Sequence, residues 1–202
     1  MNPRAAYQPA DERRAGIVEA VLALASATNP NDISTAAIAR HLGLTQGALF
    51  RHFPSKDAIW GAVMAWVSEH LLAMVEAATG AQASPLATLE AIFMGHVAFV
   101  RAHPGVPRML FGELQRAEGT PAKAIAAALL GRYALQLRSL LEAGKRAGEV
   151  AEDLDTEAAA LVFIGTIQGL VMSAMIHADV ARLDAHAPRA FALFKRGIEA
   201  AR

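Results

Sequence analysis

The sequence predicts an all-α protein of about nine helices. Alanine is the commonest of its 202 residues and, with leucine, glutamate and arginine, favours helix. No stretch alternates β-branched residues with the period of two that a strand needs. Apolar positions recur instead every three or four residues, between recognisable stops.

Taken in order, Asp11-Glu12 opens a first helix whose Ile17, Val21 and Leu24 share a face, and Asn29-Pro30-Asn31 ends it. A short helix runs from Thr35 to Leu42 and stops at Gly43. A second short one starts at Thr45 and ends before Pro54. Ser55 caps a long helix with Ile59, Val63, Val67, Leu71 and Met74 on one stripe, closed by Gly80 and Ser84-Pro85. Further helices are expected over 85–102, 105–117, 121–147, 155–179 and 187–201. They are separated by His103-Pro104, the Glu118–Pro121 turn, Gly148 and the Ala185–Pro188 region. This places a small N-terminal unit at 1–55 and a larger body at 56–202.

Composition narrows the possible functions. Hydrophobic residues make up 54% and charged residues 19%, which supports a sizeable core and excludes wholesale disorder. Absence of cysteine removes disulfides, thiolate nucleophiles and cysteine-ligated metals. Residues 1–14 hold prolines and arginines without an apolar run, so no signal peptide is expected there. Nineteen basic and nineteen acidic residues cancel, so any nucleic-acid function must sit in a local patch.

The stretch Ala158–Ile176 carries no charge and has the length of a membrane crossing. It also contains Thr166, Gln168, Ser173 and two glycines, acids crowd its front end, and no basic cluster orients it. A helix apolar nearly all round is equally at home inside a protein or between two copies of it. That reading, with no membrane contact, is the one expected here.

Residues 33–56 (ISTAAIARHLGLTQGALFRHFPSK) hold Arg40, Arg51 and Lys56 but no acid, with His41 and His52 able to add charge at lower pH. Leu42-Gly43-Leu44 is a tight turn in which glycine can take a positive φ. Ile38, Leu42, Leu44, Leu49 and Phe53 are spaced to pack two short helices on each other and on the first helix. Such a pair makes a helix-turn-helix, whose second member can enter a DNA major groove. Ser34 or Thr35, and Thr45, can cap the two helices and offer hydroxyl and N–H groups to phosphates. Gly47 and Ala48 let the helix start sit deep, and Gln46 can pair bidentately with adenine. Arg51, His52 and Lys56 would hold the backbone by charge. An amphipathic helix pair with a glycine turn and a solvated basic face also occurs in all-α proteins that bind no DNA.

The run IARHLGLTQGALFRHFPSKDAI resembles the DNA-binding signature of the tetracycline-repressor (TetR) family of transcriptional regulators. The match covers Ile38-Ala39, Gly43-Leu44-Thr45, Gly47-Ala48-Leu49-Phe50, His52-Phe53 and Ser55-Lys56-Asp57 in unbroken register. The resemblance implies a three-helix DNA-binding domain, a helical ligand-binding and dimerisation body, and a homodimer built on the last two helices. It also implies a cytoplasmic repressor released from a double-stranded operator by a small molecule, without a cofactor. Phe50 stands where the family often has a tyrosine. Its ring can pack on the sugar–phosphate backbone but cannot make that hydroxyl's phosphate bond.

In the body, Phe93, His96, Val97, Met109, Phe111, Phe163, Ile167, Gln168, Met172 and Met175 have the apolar, sulfur-rich composition of a small-molecule wall with a few polar groups. At helical spacing the same residues equally describe a plain core. Gly165, Gly169 and Ser173 put small residues on the uncharged helix, where another helix can approach. With Phe191, Phe194 and Ile198 of the last helix they are expected to form a four-helix interface across a two-fold axis. His96, His103, Glu113 and His177 show no metal-binding spacing, so no metal is expected. An enzyme finds no thiol, phosphate loop or serine–histidine neighbourhood here, and the acids from Glu149 to Glu157 suit a helix start. A regulator whose body engages a protein instead of a small molecule remains open.

Overall fold

A computed structural model describes residues 10–200. Pro3 and Pro9, on which the expectation of no leader partly rests, lie outside the described residues, as does the expected end of the last helix at 201. Among the described residues there are nine α-helices: α1 (Ala10–Ala27), α2 (Thr35–His41), α3 (Gln46–Phe50), α4 (Lys56–Ala81), α5 (Pro85–Ala102), α6 (Gly105–Leu114), α7 (Pro121–Arg146), α8 (Thr156–Ile176) and α9 (Ala181–Ile198).

They gather into two compact units. The first takes the described residues through Val67 together with Gly105–Ala126, and the second takes Ser68–Pro104 with the residues from Ala127 onward. This differs from a division at residue 55. The first half of α4 and all of α6 go with the N-terminal helices, because α6 packs along α1. Gly105 makes that approach possible: a Cβ there would stand 2.2 Å from the Leu22 carbonyl oxygen.

In the first unit, Ile17, Val21 and Ala25 of α1 are buried along with Ile38, Leu49, Phe53, Ile59 and Val63, in a core almost closed to water. Asn29 and Pro30 end the first helix in one 3₁₀ turn, with the Asn29 side chain accepting from the Asn31 N–H at 3.0 Å. α6 brings in one buried carboxylate, Glu113. It accepts from the Thr120 hydroxyl at 2.9 Å and lies 3.5 Å from Arg116, which is itself 3.9 Å from Asp57 at the start of α4.

The core of the second unit is a chain of rings. Phe93 of α5 meets Phe163 of α8 edge-on at 5.3 Å and Phe191 of α9 at 5.4 Å, and Phe163 meets Phe194 at 5.3 Å. Ser84 caps α5, and Glu149 reaches back to accept from the Leu86 N–H at 2.9 Å. A single antiparallel bridge between Val150 and Glu199 ties down the end of α9. Near 187 the expected break is absent: α9 starts at Ala181 and runs through Pro188. Proline there removes one hydrogen bond. Burial of Leu183, Ala187 and Phe191 on one stripe outweighs it.

α4 and α8 are each long and apolar enough to cross a membrane. α8 buries Ala159, Phe163, Ile167, Val171 and Ala174 within its own unit and leaves its opposite side exposed.

Candidate nucleic-acid interface

α2 and α3 are short because each is bounded by a specific cap. Ser34 Oγ accepts from the Ala37 N–H at 3.1 Å, and Thr45 Oγ1 accepts from the Ala48 N–H at 3.2 Å. Between them Gly43 takes φ +66°, a conformation costly for any residue with a Cβ. The turn closes through Leu44 N–H to the Ala39 carbonyl at 2.8 Å. Ile38, Ala39 and Leu49 anchor the pair to the core.

The solvent side of this pair carries most of the expected DNA-contact residues. Ser34, Thr45, Gln46, Gly47, Phe50 and Arg51 are exposed, while Thr35, Ala48 and His52 are half-buried. Phe50 is 42% exposed, unusual for a phenylalanine, and lies next to Arg51. Gln46 Nε2 donates to Thr35 Oγ1 at 3.1 Å, linking the two helices and leaving its Oε1 as an acceptor. Among the described residues no acid stands within ion-pair reach of Arg40 or Arg51.

Lys56 is different. Its ammonium donates to the Asn31 carbonyl at 3.4 Å and lies 4.7 Å from the centre of the Trp60 ring. Burial first, and then the Arg116 guanidinium, lower its pKa. Lys56 is half-buried, with its ammonium held between the Asn31 carbonyl and the Trp60 ring. A residue that pattern reading missed sits on the other flank: Arg14 donates to the His52 carbonyl at 2.7 Å and stacks over Phe53 at 4.2 Å. It clamps the end of α3 to α1. Its only sequence signal is a basic residue in the first turns of the helix, where the dipole disfavours it.

The expected ligand wall is divided. Phe93, Val97, Phe163 and Ile167 are packed core of the second unit. Met109 and Phe111 belong to the first unit on α6, Met172 is exposed, and Gln168 and Met175 are half-buried. His96 has a partner the sequence did not indicate: its Nδ1 is 3.2 Å from the hydroxyl of fully buried Tyr133. Burial pushes the imidazole down to about 4 and pushes the phenol up. Both groups are neutral at ordinary pH, and one proton is shared between Nδ1 and the phenol oxygen, with the donor set by the ring's tautomer.

The expected interface residues also divide. Gly165 and Gly169 are exposed and Ser173 half-exposed, whereas Phe191, Phe194 and Ile198 turn inward, with Phe194 and Ile198 only reaching a groove wall. The open side of α8 is Ala158, Leu161, Val162, Gly165, Gly169, Met172 and Ile176, joined by Leu193 of α9. Two grooves run along it. One of about 520 Å³ is walled by Val162, Thr166, Leu193 and Gly197 and ends at Asp155. The other, of about 340 Å³, is walled by Leu170, Ser173 and Leu193 and ends at Arg182, His186 and Arg189.

Residues 17–63 match the family of bacterial regulatory proteins of the tetR type, and residues 110–191 match the tetracycline-repressor-like C-terminal domain. The chain belongs to the TetR family. It is a DNA-binding transcriptional regulator. Among curated proteins of this kind, a nucleoid occlusion factor, SlmA, from Actinobacillus pleuropneumoniae is 28% identical over 144 residues, 70% of this chain and 71% of the relative. A TetR-family regulator from Agrobacterium tumefaciens shares the fold with a TM-score of 0.81 at 22% identity, covering 95% of this chain and all of the other. The regulator FadR from Bacillus subtilis, solved with stearoyl-CoA, superposes with a TM-score of 0.77 at 19% identity over 91% of this chain and 98% of its own.

Proposed function

We propose that the protein is a cytoplasmic, homodimeric repressor that binds a two-fold symmetric operator through α3 and leaves it when a small apolar or amphipathic molecule enters the second unit. The observation that carries the DNA half of this reading is the acid-free, capped surface from Ser34 to Arg51, with Gln46 at its centre. Gly47 and Ala48 bring the backbone close to the groove floor, Gln46 reads a base edge, and Arg51 with the Phe50 ring lies on the sugar–phosphate backbone. The bare stripe on α8 supports dimerisation, since an apolar surface of that length is stable in water only when covered.

A dimer of this kind holds its recognition helices about one DNA turn apart, roughly 34–36 Å. A ligand that prefers a body with another spacing depletes the DNA-competent dimers, and near-complete release needs a differential of about 5 kcal/mol. Support for the ligand comes from the neutral His96–Tyr133 pair, a polar contact inside the second unit, and from the fold neighbour solved with stearoyl-CoA. Selection of bound sequences from a random duplex pool tests the reading. A palindrome is expected, and an enriched pool without one would overturn the symmetric dimer.

One observation favours a second reading for the body. The SlmA relatives carry the name of a nucleoid occlusion factor, so a protein partner in place of the small molecule is the competing account. Operator binding that resists every acyl or aromatic effector, yet changes when the second unit is occupied by a protein, would favour it.

A further inference from the structure

Three hydroxyls stand at the starts of α2 and α3, and the oxygens of two are spent on caps. Ser34 Oγ accepts from the Ala37 N–H and Thr45 Oγ1 from the Ala48 N–H. Thr35, the first residue of α2, does something else. Its Oγ1 accepts from the side-chain Nε2 of Gln46, 11 residues further along the chain, at 3.1 Å. Thr35 is half-buried and Gln46 is exposed, so the bond lies at the surface, in the acid-free stretch that also exposes Arg40 and Arg51. An exposed amide exchanges water for a protein partner at small net gain, so the consequence of this bond is orientation more than stability.

A glutamine amide has a donor end and an acceptor end, and the end that reaches a base decides what it reads. Left free, it turns over and serves either. A threonine hydroxyl has one proton. When a DNA phosphate takes that proton, the hydroxyl oxygen can only accept, so it holds Nε2 and leaves Oε1 turned outward. In the major groove adenine N6 and cytosine N4 are donors, whereas guanine and thymine present only acceptors. Oε1 meets the first two as it stands. For the other two, Gln46 has to give up Thr35 and reverse its amide.

Resting on the DNA reading above, we infer that Thr35 is a positioning residue for base recognition. By holding Nε2 it aims Oε1 into the groove, and the protein selects an amino-bearing base, adenine or cytosine, on the strand that Gln46 faces. Adenine ranks first, because its N7 takes over Nε2 when the amide leaves Thr35. Sequence preference at this position is therefore set in part by a side chain of α2 that touches no base.

Duplex selection with variants of the full chain tests this. The position read by Gln46 is the one whose preference relaxes in Gln46→Ala, and adenine or cytosine is expected there in the unaltered chain. Thr35→Val keeps the branching of the side chain and removes the hydroxyl. It is expected to lower discrimination against guanine and thymine about three- to tenfold at that position alone. Thr35→Ser keeps a hydroxyl and is expected to retain the discrimination. Gln46→Glu has acceptors at both ends and needs no orienting, so its preference for adenine or cytosine is expected to survive the addition of Thr35→Val. Circular dichroism checks folding, and Thr35→Ala takes the place of Thr35→Val if valine disturbs α2. If Gln46→Ala changes preference at no position, the assignment of Gln46 as a base reader itself fails. If it relaxes one position while loss of the Thr35 hydroxyl leaves that position unaltered, or only weakens binding to all sequences alike, the positioning role is overturned and Gln46 stands as the reader. Guanine or thymine at that position in the unaltered chain would likewise overturn it.

Discussion

α3 and α8 expose opposite things. The five residues of α3, with Arg51 just after them, present capped backbone, an amide and a guanidinium to water, on a base of buried Leu49. The twenty-one of α8 present valine, leucine, methionine and isoleucine, while their unit keeps a histidine–tyrosine pair inside. The first unit is polar outside and apolar inside; the second reverses that on one side. A polar surface with its own groups satisfied is stable in water and waits for a polyanion. An apolar stripe is not, and calls for a permanent neighbour. On the proposed reading, the difference teaches that the polar face would be occupied transiently and the apolar one permanently.

That contrast breaks most visibly at Val162. Val162→Asp puts an unpaired charge on the stripe and is expected to weaken the dimer at least about a hundredfold, with operator binding lost alongside it. Sedimentation equilibrium and gel shift check it, and a dimer that survives would remove α8 from the interface.

The interior pair gives the next largest effect. His96 has a folded pKa of about 4 against an ordinary value of 6.5, so the unfolded chain binds the proton more readily. The contribution of this group to stability is full above pH 6.5, falls as the pH drops toward 4, and is lost by roughly 3 kcal/mol at the low end. Urea unfolding across that window should show the slope in the unaltered chain and a shallower one in His96→Gln.

On the polar face the expected changes are smaller and sharper. Arg51→Ala should weaken binding to all sequences alike and reduce the salt slope by about one, whereas Lys56→Ala should leave that slope unchanged. Gln46→Ala should cost about 1–3 kcal/mol at a single base pair and relax preference there, read by repeating the duplex selection.

Much of α2 and α3 was legible because their determinants are local: a hydroxyl three residues before the N–H it caps, and a glycine where φ must be positive. Helix existence and order elsewhere followed from apolar spacing for the same reason. Orientation did not. α8 is apolar nearly all round, so its pattern cannot say that Phe163 and Ile167 face in while Val162 and Gly169 face out. On α9, the large rings suggested contact outward, yet Phe191 and Phe194 meet Phe93 and Phe163 inside. Lys56 sits in the same basic run as Arg51, and only the fold reveals Trp60 beneath it. Tyr133 lies 37 residues from His96, a pairing that no local rule encodes.

The hydrogen bond between Gln46 and Thr35 bears on how such a protein would search a chromosome. If Gln46 reads a base as proposed, the amide would stay on its own threonine while the protein moves over unrelated sequence, and only a base pair offering a matched donor and acceptor would draw it away, so the internal bond would act as a threshold for arrest.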